Sequence, residues 1–95
     1  MSTTSSEETF GDGKISGRGT LDEHGEKSGR WEFCYRSGTL KGTGEFVDGQ
    51  MHGAWTWTRE DGTLMRTGHF VAGEQRGQWK TYDRAGELVR TTDFH

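Results

Sequence analysis

The tripeptide Gly-x-Trp occurs three times at a spacing of 24 residues, as Gly29-Arg30-Trp31, Gly53-Ala54-Trp55 and Gly77-Gln78-Trp79. A fixed period in this range marks a repeated supersecondary unit, and it constrains the fold more than any local propensity does. Other landmarks keep the same phase. Gly38, Gly62 and Gly86 follow each Trp by seven positions; Leu40, Leu64 and Leu88 come next, then Phe46, Phe70 and Phe94.

Turn signals punctuate the chain at Asp12-Gly13, His24-Gly25, Ser37-Gly38, Asp48-Gly49, Asp61-Gly62, Ala72-Gly73 and Ala85-Gly86. Two-residue loops ending in Gly suit hairpins, because a type I′ turn needs positive φ at both central residues. No segment carries apolar residues at helical spacing. The expected fold is therefore all-β: an antiparallel meander of about eight strands forming a single-layer, curled sheet over residues 10–95. Residues 1–9 are polar and without periodicity, and are expected to form a disordered arm.

Directly opposite residues in a hairpin share a face, so each turn predicts a register. Around Asp48-Gly49, Phe46 should oppose Met51, Gly44 Gly53, Gly42 Trp55 and Leu40 Trp57. Around Asp61-Gly62, Trp57 should meet Arg66, Trp55 Gly68 and Arg59 Leu64. Around Ser37-Gly38, Trp31 should meet Gly44, Phe33 Gly42 and Tyr35 Leu40. The first unit holds one extra residue, and a three-residue loop before Glu26 keeps parity by pairing Gly19 with Gly29, Gly17 with Trp31 and Ile15 with Phe33. All these residues fall on one face, and the other face is polar. Trp31 and Trp55 then lie between glycines, where an indole can rest on backbone. Each buried Trp contributes about 4–6 kcal/mol gross, as an upper bound. Trp79, flanked by Arg66 and Thr92, reads as a capping unit.

Composition tests this picture. Apolar residues make up 27% of 95, with 16 glycines and no proline, a balance that resembles disorder. The four tryptophans, five phenylalanines and two tyrosines fall in register with the repeat, however, and supply a core. A net charge of −3 disfavours nucleic acid as a partner. The lone Cys34 excludes an intrachain disulfide. No apolar run matches a signal peptide or a transmembrane helix, so a cytoplasmic protein is expected.

The Gly-x-Trp units, the x-Gly-x-Leu steps and the stretch Asp48-Gly49-Gln50-Met51-His52-Gly53 resemble MORN repeats, most closely the bacterial variant of antitoxin-component proteins. The resemblance spans residues 10–94. It implies an extended hairpin array acting as a binding or scaffolding module. The aromatic usual three positions after the Trp is present only as Tyr82; Cys34 and Thr58 stand in the other copies.

Chemistry-bearing patterns are sparse. His24, His52, His69 and His95 share no repeat column and no metal-ligand spacing, so neither a metal nor a cofactor is expected. Serines cluster in the first residues and in turns, with no base placed beside them, and an enzyme is not expected. The expected function is a protein-binding module, which the resemblance, together with the small acidic chain and the Trp-rich face, narrows to an antitoxin or immunity component facing a toxin. The alternative that the resemblance implies is a membrane- or phospholipid-associated scaffold, for which the chain lacks a polybasic cluster. Candidate contacts are Trp55, Trp57, Trp79 and Arg66, since Trp and Arg dominate binding hot spots. The register places Cys34 between Lys14 and Lys41, where two ammonium groups favour a reactive thiolate. Open edges and one apolar face point to a homodimer.

Overall fold

The computed structural model describes residues 4–95. Eight strands follow one another in a single antiparallel meander: β1 (Thr4–Thr9), β2 (Ile15–Leu21), β3 (Lys27–Cys34), β4 (Leu40–Val47), β5 (Gln50–Thr58), β6 (Leu64–Val71), β7 (Glu74–Tyr82) and β8 (Leu88–Phe94). Each strand bonds only to its sequence neighbours, so β1 and β8 are free edges and the sheet is not closed into a barrel. The molecule measures 41 × 34 × 17 Å, as a bent single layer should.

The first strand departs from the sequence reading, which gave residues 1–9 to a disordered arm. Thr4–Thr9 pairs along β2, from Thr4 opposite Leu21 to Thr9 opposite Ile15. Its side chains are nearly all exposed, so it lacks the alternation that betrays a half-buried strand. Backbone bonding and an ion pair from Lys27 Nζ to Glu8 Oε2, 2.8 Å, hold it in place. Met1–Thr3, the rest of the expected arm, lie outside the described residues.

The turns fall where the glycines predict, but in two kinds. Asp48-Gly49 and Ala72-Gly73 have positive φ at both residues, the type I′ pattern. At Gly13, Gly25, Gly38, Gly62 and Gly86 only the glycine has positive φ. Its N–H bonds the carbonyl three residues back, as Gly62 does to Arg59 at 2.9 Å. That is a three-residue loop closed by a left-handed glycine. Leu40, Leu64 and Leu88 consequently oppose Cys34, Thr58 and Tyr82 rather than aromatic-face residues, correcting the Tyr35–Leu40 and Arg59–Leu64 pairs.

A second irregularity decides the core. The glycine of each Gly-x-Trp has positive φ, +69° at Gly29, +76° at Gly53 and +69° at Gly77. Each starts a bulge that advances the register by two residues. Gly42 opposes Trp57 instead of Trp55, and Gly17 opposes Phe33 instead of Trp31. A shift of two preserves parity, so Trp31, Phe33, Trp55 and Trp57 keep their expected face while their partners on the preceding strand change. Trp31, Trp55 and Trp79 now lie directly over Gly19, Gly44 and Gly68, where any Cβ would collide with the indole. They are 0%, 1% and 1% exposed. Each indole N–H donates to a backbone carbonyl: Thr20 at 2.8 Å, Glu45 at 3.1 Å and His69 at 3.2 Å. Trp79 is thus as much a core residue as the other two, and its expected role as a departing cap is corrected.

Phenylalanines fill the gaps between indoles edge-on. Phe46 meets Trp31 and Trp55 at 6.2 and 5.4 Å between ring centroids, and Phe70 meets Trp55 and Trp79 at 6.1 and 5.1 Å. Such pairs add about 0.5–1.5 kcal/mol each beyond area burial. Phe94 ends the ladder against Trp79.

Candidate functional site

A second aromatic row runs beside the core. Phe33 stacks on Trp31 and Trp55, and Trp57 stacks on Trp55 at 5.3 Å between centroids. Phe33 lies over Gly17 and Trp57 over Gly42, where an added Cβ would sit 2.9 and 2.5 Å from the rings. Both rings stay half-buried, because no further layer covers them. The row stops at β6. Arg66 stands where the next glycine would fall and opposes Trp57 on one side and Thr81 on the other. Its guanidinium carbon lies 4.6 Å from the Trp79 ring centroid, a cation–π contact. Its Nε is buried without an acceptor among the described residues.

Phe33 and Trp57 line a cavity of about 290 Å³, completed by Phe10, Ser16, Cys34, Lys41 and Met51. The strands place these groups for separate reasons. Phe33 and Trp57 each follow a core Trp by two residues and so share its face. Met51 reaches the same face through the type I′ turn, opposite Phe46. Phe10 begins the first loop, its ring 5.0 Å from the Arg36 guanidinium carbon. Lys41 is the extra residue where the β3–β4 register shifts.

Of the sequence candidates, the fold brings Trp57 and Cys34 into one cavity and Arg66 against Trp79 beyond it. Trp55 and Trp79 are enclosed in the core and have no free surface to offer a partner. Cys34 does not stand between Lys14 and Lys41 as expected. It opposes Leu40, is 8% exposed, and lines the cavity beside Lys41. The sequence reading missed Phe10, Ser16, Phe33, Lys41 and Met51 as wall residues. The face of Met51 was readable from the turn; the position of Phe10 was not, because β1 was not recognised.

The polar face carries ion pairs rather than a bound-anion site. The register expected for the first hairpin, with Gly19 opposite Gly29 and Gly17 opposite Trp31, would set Arg18 opposite Arg30. The two-residue shift at Gly29 sets it opposite Glu32 instead, with Nε 3.0 Å from Oε1. The hydrogen bond and then the charge of Glu32 raise the Arg18 pKa. At the loop tips Arg84 reaches Asp61 at 2.8 Å. Asp61 also accepts from the hydroxyl and backbone N–H of Thr63, and these bonds, with Arg84, hold its carboxyl well below the usual range. Among the described residues no cluster of His, Cys, Asp and Glu is placed to hold a metal, and no helix is long and apolar enough to cross a membrane.

Compared with protein-family models, with curated proteins and with solved structures, the chain finds no match in any of the three.

Proposed function

We propose that this chain is a non-enzymatic protein-binding module built from MORN-like hairpins, serving as an antitoxin or immunity component that occupies a toxin. The observation that carries this reading is the half-exposed second aromatic row. Phe33, Trp57 and Met51 pack against the buried core yet stay half-exposed, and they line a cavity. Aromatic side chains beside a pocket, rimmed by polar groups, are the usual anchors of protein recognition.

Trp57→Ala is the test. Its ring rests on Gly42 and Trp55 at the margin of the core, so the variant should keep its far-UV spectrum and a cooperative transition. The partner to assay is the product of any toxin-like reading frame that neighbours this one in the genome. That product should co-purify with the wild-type chain and be lost with Trp57→Ala. Undiminished capture by a folded Trp57→Ala chain would rule the site out.

A further inference from the structure

Lys41 is the one charged side chain lining the aromatic cavity, in a chain whose net charge is −3. Among the described residues it has no carboxylate within ion-pair distance. Its ammonium lies 5.8 Å from the Tyr35 ring centroid, at the rim. The remaining walls are aromatic or thioether, apart from the Ser16 and Cys34 side chains. The three core indoles donate to backbone carbonyls, whereas the indole N–H of Trp57 has no acceptor among the described residues. An apolar cavity with one unneutralised cation among its lining side chains suits a large apolar group joined closely to a carboxylate.

Size narrows the choice. At about 290 Å³ the cavity is at the lower limit for ligand pockets and admits one residue-sized group. An internal acidic residue beside an apolar one would bring two side chains and the backbone between them. A C-terminal residue carries its apolar side chain and its carboxylate on the same carbon. Capture of a terminal carboxylate is an established mode of peptide recognition.

Resting on the binding-module reading, we propose that this cavity takes the C-terminal residue of the partner chain, a large apolar one, with its free carboxylate on Lys41. The probes are two tetrapeptides, acetyl-Gly-Ser-Gly-Phe with a free carboxylate and the same sequence amidated. Binding is followed at the Trp57 indole N–H by NMR. The acid should bind and the amide should bind at least about tenfold more weakly. Lys41→Met, a change at an exposed side chain that leaves the fold intact, should bring the acid down to the level of the amide. Equal binding of acid and amide, no binding of either, or full acid binding by Lys41→Met would overturn the proposal. Each of these outcomes is separable from failure of the module reading, which rests on capture of the whole partner by Trp57.

Discussion

Each core tryptophan is matched to a missing side chain one strand earlier. A Cβ on Gly44 would overlap the Trp55 ring, and no neighbouring space lets the indole withdraw, because Phe46 and Phe70 close both sides. Gly44→Ala should therefore destabilise the fold by about 3 kcal/mol, at the upper end of overpacking costs. Gly11→Ala, with open space around the new methyl and no positive φ, should stay within about 0.5 kcal/mol of wild type. Urea unfolding of the pair measures the difference, and similar midpoints would contradict the packing. Asp61 offers a residue-level test of electrostatics. Its folded pKa is depressed, so the unfolded chain binds its proton first as pH falls. Its contribution is complete at neutral pH and is lost as pH drops from the ordinary carboxylate range through the depressed value. The midpoint gap between wild type and Asp61→Asn should be widest near neutrality and shrink steadily under acid conditions. A gap that does not change with pH would contradict this origin.

Strands and turns here show what the sequence makes readable. The seven turn glycines are correctly located because the left-handed region leaves few other residues available. The faces of Trp31, Phe33, Phe46, Trp55 and Trp57 are also legible, since parity survives a shift of two. The bulges themselves were hidden. Gly29, Gly53 and Gly77 look like space-makers in the strand, but no neighbouring ring or backbone crowds Gly53 or Gly77. Their work is conformational: positive φ turns the following Trp onto the preceding strand. Residues 4–9 were unreadable for the opposite reason, since an edge strand held by backbone bonds and Glu8–Lys27 needs no apolar pattern. The cavity shared this fate in part, because its Phe10 wall depends on the loop that follows β1. One turn carries a residue against its preference. Ala72 sits at φ +51°, in the first central position of a type I′ turn. Ala72→Asn should raise stability by about 0.5–1 kcal/mol by relieving left-handed strain. A lower thermal midpoint for the variant would show that the turn is not as described.

At the scale of the whole molecule, a single sheet 17 Å thick has no second layer to bury its apolar face. It succeeds by laying three indoles flat on backbone and wedging phenylalanines between them, which makes a core out of one face of one sheet. This division of labour is also the basis of the functional reading: three tryptophans build the core, and the fourth is left at the surface beside Lys41. Hydrogen exchange at the four indole N–H groups tests that division most directly. Trp31, Trp55 and Trp79 are buried and bonded to carbonyls, so their indole protons should exchange only through substantial opening of the sheet. Trp57 should exchange quickly under the same conditions. Three slow indole signals and one fast one, the fast one vanishing in Trp57→Ala, is the expected result; four fast signals, or four slow ones, would contradict it.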